Sequence, residues 1–243
     1  MLTKQPLTPA QLCGLVATHV QAVPDEREGV QLQPTVADAY VAMRQAAAKD
    51  GVQLAIASGF RDFQRQQSIW NRKFSGQAPI YNDRGEKLDS DTLSTGEKVD
   101  AILTWSALPG ASRHHWGTDF DVYDPAPFAS GELKLQLVPE EYSSNGPCHA
   151  LYQWLQRHAR EFGFFFPYAR YQGGVAAEPW HLSHEALANE AHALLTIDIL
   201  RNALQEQELL GQSYVLDLLP EIKRRYIDSI CHADIHSGDV WFG

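Results

Sequence analysis

Cysteine is scarce: Cys13, Cys148 and Cys231 are three in 243 residues, far apart and odd in number. That spacing excludes a disulfide framework and a CxxC zinc knuckle, and each is expected to be a small buried hydrophobe with a free thiol. Long apolar runs are also lacking, so no segment reaches the length of a membrane span. Basic residues are outnumbered, 20 Lys and Arg against 30 Asp and Glu, for a net charge of -10. With no basic cluster, this balance argues against a phosphate-backbone partner, and so against nucleic acid. Residues 1–20 hold one lysine, are interrupted by Pro6 and Pro9, and contain no apolar core of signal-peptide length. On that reading the chain is expected to be soluble and cytoplasmic, or in the periplasm or cell envelope if an export signal was lost. No repeat or low-complexity segment occurs.

What is present is an ordinary globular composition, 44% apolar and 10% aromatic, sufficient for one large domain or two small ones. Thr8 can cap a short helix with Pro9 in its first turn and Leu12, Leu15 and Val16 as its apolar stripe. Val36, Ala39, Tyr40 and Met43 recur at helical spacing over 35–49, with Gly51 where a C-cap would stand. Residues 54–57 read as a buried strand running into Ser58-Gly59-Phe60-Arg61, and Asp62 can cap the helix that follows. Residues 76–95 read as a polar insertion without structure of its own, after which Ser94 or Thr95 caps a helix through Val99, Ile102 and Leu103. A second loop-rich stretch, 125–147, precedes an amphipathic helix marked by Leu151, Trp154, Leu155 and His158 and stopped by Gly163. Strands are expected at 164–166 and 178–182. The remainder, 185–230, is mostly helical, broken at Gly211 and Pro220.

The chemistry is concentrated in two motifs. From Ser112 to Asp121 the chain packs His114, His115, Gly117, Asp119 and Asp121 behind the turn dipeptide Pro109-Gly110. Neutral imidazole and carboxylate suit zinc, which in catalytic sites takes three protein ligands and leaves a fourth position for water. Glu178-Pro179-Trp180-His181 can supply a third imidazole and a carboxylate able to act as general base. Residues three apart in a regular strand face opposite sides, so Glu178 and His181 can share a site only if the backbone bends at Pro179; Gly117 permits a similar break between His114 and Asp121. Arg61, at a strand-to-helix corner, can offer a planar fork to a substrate carboxylate. His19, His149, His158, His184 and His192 read as core or surface residues. His232 and His236, four apart, could share a helix face but lack an accompanying acid in a metal-binding pattern.

In their order, SGFR with Gln66 five residues beyond its Arg, then PGxSxHxxGxxxD, then ExWH, these motifs resemble the VanY-type D-alanyl-D-alanine carboxypeptidases. That family belongs to a zinc peptidase group that includes D-Ala-D-Ala dipeptidases and LD-carboxypeptidases, and the resemblance covers residues 53–184. It implies an α+β fold in which a small, mainly antiparallel sheet bears the zinc site and helices surround it. It further implies His114, Asp121 and His181 as ligands of one Zn2+ per chain, Glu178 as catalytic base, and Arg61 with Ser112 as the clamp for a substrate's terminal carboxylate. Gln66 matches a family position near the cleft and is placed with the substrate-binding residues. Two positions depart from the pattern: Phe60 stands where Tyr is common, and Asp119 where a small residue is usual. Asp119 is thus an alternative ligand or an acid that supports one, with Asp121 preferred.

The implied reaction is removal of a C-terminal D-alanine, or a similar residue, from a peptidoglycan stem peptide or other D-Ala-terminated peptide. Endopeptidase or D-Ala-D-Ala dipeptidase action is the alternative within the enzymes. Outside them stand a zinc-binding module without catalysis and a structural zinc site closed by His115 or Asp119. The expected division is a zinc peptidase domain at 1–184, including the N-terminal helices, and a helical C-terminal extension at 185–243 packed on the same domain or forming a dimer surface.

Overall fold

The computed structural model of the protein describes residues 5–232. The pairing of His232 with His236 therefore lies outside the described residues. Helix α1 (Pro9–Leu12) is capped by Thr8, which accepts from the Gln11 backbone while the Gln11 side chain reaches back to Thr8. It stops after one turn, because Gly14 takes the left-handed φ of +71° that glycine adopts at little cost. The expected stripe is cut short: Leu12 is buried, whereas Leu15 and Val16 are each 40% exposed.

Strands β1 (Gln21–Ala22) and β2 (Gln31–Leu32) form a two-stranded ribbon. Helix α2 (Pro34–Lys49) starts on a proline, whose missing N–H costs nothing in a first turn, and buries Val36, Tyr40 and Met43. Strand β3 (Ala55–Ser58) leads to α3 (Phe63–Phe74), whose N-cap Asp62 accepts from Arg65 N at 2.7 Å. The stretch expected to lack structure instead folds back as a hairpin, β4 (Ile80–Tyr81) with β5 (Lys87–Leu88). Asn82 explains the difference, since its Oδ1 accepts from the N–H groups of both Arg84 and Glu86 and closes the turn. Helix α4 (Thr95–Trp105) begins with a reciprocal cap between Ser94 and Glu97. Strand β6 (Asp119–Tyr123), helix α5 (His149–His158), and strands β7 (Phe164–Phe165) and β8 (His181–His184) follow. Four α-helices follow, α6 (Glu185–Leu194), α7 (Ile197–Gln205), α8 (Gln212–Asp217) and α9 (Leu219–Ile222), the last continued by a π-helical turn, Lys223–Ile227.

The central sheet has the order β3-β6-β8-β7 and every pairing in it is antiparallel. With helices on and around a small antiparallel sheet, the fold is α+β. Strand β6 alternates as a strand should, with Phe120 and Val122 on one face and Asp119 and Asp121 on the other. Phe120 and Val122 are fully buried among Ile56, Tyr40, Leu151 and Leu182, in a core made with α2 and α5. A second core joins Trp70, Ile102 and Trp116 to Ala188, Leu200 and Val215, so the C-terminal helices and α3 and α4 share one apolar interior. The acidic face of β6 is turned away from the first of these cores, and both aspartates are buried.

Candidate metal centre

Register brings the site together. In the antiparallel pairing of β6 with β8, Asp121 lies directly opposite His181 and Asp119 opposite Ser183, and directly opposed side chains start only about 5 Å apart at Cβ. On the other edge of β6, Asp121 is also opposite Ser58, beyond a register irregularity between Ile56 and Ser58. That irregularity ends the ladder and turns the chain at Gly59, where a Cβ would stand 2.7 Å from Gln31 O.

His114 is not on the strand. It sits in a single 3-10 turn, Arg113–Trp116, closed by Gly117 at φ +65°. This turn resolves the seven-residue separation between His114 and Asp121. The His114 backbone O accepts from Arg61 N, and its Nδ1 donates to Gly59 O at 2.9 Å, so its Nε2 is the nitrogen left facing the cleft, 3.5 Å from Asp121 Oδ2.

His181 is fixed in the complementary way. Its Nε2 donates to Asp119 Oδ1 at 3.1 Å, which leaves Nδ1 between Asp121 Oδ1 at 3.4 Å and Glu178 Oε2 at 3.2 Å. The expected strand over 178–182 starts only at His181. Residues Glu178 to His181 form a turn instead, with His181 N donating to Glu178 O at 3.1 Å; Pro179, which cannot donate to a ladder, lies within it. The turn carries the Glu178 carboxylate back to His181 Nδ1.

One ligand atom from each of His114, Asp121 and His181 fits within 4.8 Å of the others, and all three residues are buried. Burial works against charge on Asp121, yet the two imidazoles outweigh it and hold its carboxyl well below the usual range. Burial likewise opposes a charge on His181, but Asp119, Asp121 and Glu178 together raise its affinity for a proton well above ordinary. A focus of negative charge that favours a proton at Nδ1 favours a metal cation there for the same reason. Asp121 Oδ1 is buried and has no hydrogen-bond donor, which suits an oxygen that faces an ion. The donor set of two imidazoles and one carboxylate fits zinc.

Neither candidate for a fourth protein ligand faces this group. His115 Nδ1 donates to Arg61 O at 2.5 Å and its Nε2 accepts from Gly110 N–H at 3.1 Å; burial pushes its pKa down to about 3, so it stays neutral. Asp119, fully buried, is held by Arg113 Nε at 2.7 Å and Thr118 Oγ1 at 2.6 Å besides His181. Arg113 is the residue that sequence reasoning missed. Its signal was the acid at position 119, since a carboxylate in the interior needs a cation.

Arg61, Ser112, His114, Asp121, Glu178 and His181 line one cleft of about 880 Å³. Arg61 Nη1 donates to Gln66 Oε1 at 2.8 Å and Nη2 to Ser58 Oγ at 3.0 Å, while its buried Nε has no partner. Among the described residues no carboxylate lies within ion-pair distance of it. Gln66 does not line the cleft: it is fully buried, with its Oε1 on Arg61 and its Nε2 donating to Ala107 O at 2.7 Å. The structure thus places Gln66 behind Arg61, as its support.

An α+β scaffold with a buried His/Asp/His group lining a cleft is an arrangement that suits a metal-binding hydrolase. The family model described as VanY, D-alanyl-D-alanine carboxypeptidase, matches residues 29–187, and the chain belongs to that family. It is 44% identical over 103 residues to a Haemophilus influenzae protein described as uncharacterized, covering 42% of this chain and 70% of that one. It is 28% identical over 160 residues to a D-alanyl-D-alanine carboxypeptidase of Enterococcus faecalis, covering 64% of this chain and 47% of that relative. Among solved structures, the LdcB LD-carboxypeptidase matches with a TM-score of 0.51 at 25% identity, over 74% of this chain and 75% of that one. VanYB in complex with D-alanine-D-alanine matches with a TM-score of 0.50 at 22% identity, over 77% and 90%. These structural likenesses are likenesses of fold. No described helix is long and apolar enough to cross a membrane.

Proposed function

We propose that this chain is a zinc-dependent carboxypeptidase that removes a C-terminal D-alanine, or a similar residue, from peptidoglycan stem peptides. His114 through Nε2, Asp121 through its carboxylate and His181 through Nδ1 would hold one Zn2+ per chain. The observation that carries the reading is the meeting of these three groups within 4.8 Å, with Glu178 beside them and both candidate fourth ligands engaged elsewhere. A noncatalytic zinc module has no use for Glu178 or for a guanidinium without a counter-ion in the same cleft. We also propose that residues 1–184 carry the site and that the extension from 185 packs on the same domain; the apolar interior shared by α3, α4 and α6 to α9 supports this for its described part, and residues 233–243 lie outside the described residues.

A zinc ion held by these residues would supply Lewis acidity toward a water and toward the scissile carbonyl oxygen. Glu178, at the rim of the group and partly open to the cleft, takes the proton from the attacking water and returns it to the leaving amine nitrogen. No acyl-enzyme forms, because water is itself the nucleophile. Arg61, with Ser112 in the same cleft, pairs with the free carboxylate of the chain end, and Gln66 and Ser58 hold the guanidinium in place. Asp119 keeps the His181 proton on Nε2, so that Nδ1 presents its lone pair.

Glu178→Gln tests the assignment. It is expected to retain the zinc and to lower kcat by about 100- to 10,000-fold, the range of a general base; near-native hydrolysis would remove Glu178 from that role. Amidating the C-terminus of a stem pentapeptide is expected to abolish cleavage, whereas an endopeptidase would tolerate it. Turnover of free D-Ala-D-Ala in preference to the pentapeptide would favour the dipeptidase reading.

A further inference from the structure

Lys73 brings a second positive charge to the cleft, and the reaction as described gives it no role. It stands in the last turn of α3 and lines the same cleft as Arg61, Ser112 and Glu178. Its Cα–Cβ bond tilts toward the start of the helix, as in any helix, the end of α3 that Arg61 precedes. Its Nζ donates to Ser106 Oγ at 2.6 Å. Arg61 is tied to the neighbouring residue: its Nη1 donates to Gln66, and Gln66 donates to Ala107 O at 2.7 Å. Lys73 is thus held directly at residue 106, and Arg61 is linked through Gln66 to residue 107, where α4 ends. Neither has a carboxylate within 4 Å among the described residues.

Bringing like charges together in a partly dry cleft is unfavourable unless an anion lies between them. The strain shows on Lys73: burial, opposed by Glu178 and reinforced by Arg61, draws its pKa down to about 8. Glu178 acts on Lys73 only from a distance, since its carboxylate lies 3.2 Å from His181 Nδ1 and outside ion-pair reach of the ammonium. The peptide's free carboxylate is the anion the proposed substrate always carries.

We propose that Lys73 is a further substrate-binding residue that, with Arg61, forms a two-cation subsite for the terminal carboxylate and so determines the preference for a chain end. This rests on the carboxypeptidase reading above. The two cations then contribute differently, since Arg61 fixes the direction of the carboxylate through a planar fork and Lys73 adds a point charge. Ser106 positions the ammonium, as Gln66 positions the guanidinium.

The experiment uses zinc-loaded Glu178→Gln protein, in which bound peptide is not consumed, and calorimetric titration with an N-acylated peptide ending in D-Ala-D-Ala and with its C-terminal amide. Adding Lys73→Met is expected to weaken the acid by about 10- to 100-fold, the worth of a hydrogen bond to a charged group, and to move the amide little. Lys73→Arg should keep most of the acid's affinity. In the Glu178 enzyme the loss should fall on KM rather than kcat. Equal affinity of the acid with and without Lys73, equal losses for acid and amide, or a loss confined to kcat would each overturn the assignment. If the parent protein binds neither peptide, the carboxypeptidase reading itself fails; if it binds the acid and Lys73→Met does not change that, only the subsite fails.

Discussion

The two sides of His181 are built from the same parts and differ in charge balance. On the Nε2 side, Asp119 meets the Arg113 guanidinium at 2.7 Å and the Thr118 hydroxyl at 2.6 Å, so its charge is cancelled within the protein. On the Nδ1 side, Asp121 and Glu178 face two imidazoles and, among the described residues, no Lys or Arg within ion-pair distance, and Asp121 Oδ1 has no donor. Charge that is left unbalanced in an interior is costly. Two aspartates on one face of β6, two residues apart, are therefore given different surroundings by their neighbours: the balanced one orients an imidazole, and the other is suited to a cation. The proposed zinc ion is that cation.

The contrast can be broken most severely at Asp121. Asp121→Ala is expected to lower the metal content from one zinc per chain to essentially none after dialysis, measured by elemental analysis, and to take hydrolysis with it. Asp119→Ala should do less to the metal and more to the fold. Loss of the acid behind a ligating histidine weakens zinc by about 10- to 100-fold, and Arg113 left alone in the interior costs about 3–5 kcal/mol, read from denaturant midpoints. Asp119→Asn sharpens the comparison, because its amide oxygen still accepts from His181 Nε2; its zinc affinity should fall less than that of Asp119→Ala. The smallest effect is expected at the turn that separates His114 from the strand. Gly117→Ala places a Cβ 2.4 Å from Val20 Cγ1 at a φ of +65°, and strain of this kind costs about 1–3 kcal/mol, visible in the unfolding midpoint.

The residues of the site were legible in the sequence because metal chemistry restricts residue type and order: His114, Asp121, Glu178 and His181 come together as their motifs implied. How they come together was legible only as a requirement, that the chain bend at Gly117 and near Pro179. The structure meets it with a 3-10 turn and a turn ahead of β8. Lys73 was not legible, because its partner Ser106 is distant in sequence; Arg113 left a signal only in the nearby acid Asp119, while its other partner, Ser183, is just as distant. Local pattern misled where one residue outweighed periodicity. Gly14 ended the first helix before its stripe was complete, and Asn82 made a hairpin of a stretch that composition describes as loop. The helix caps at Thr8, Asp62 and Ser94, by contrast, are local chemistry and stand where the sequence puts them. Gln66 shows the limit of a motif position: its place near the cleft was readable, but its burial behind Arg61 depends on Ala107.

Diffraction from crystals of the zinc-loaded protein, recorded on both sides of the zinc absorption edge, tests the central claim most directly. A single anomalous peak is expected within bonding distance of His114 Nε2, an Asp121 oxygen and His181 Nδ1, with Glu178 alongside and a solvent molecule at the remaining corner. A peak elsewhere, or one whose fourth corner is closed by a protein side chain such as His115 or Asp119, would contradict it.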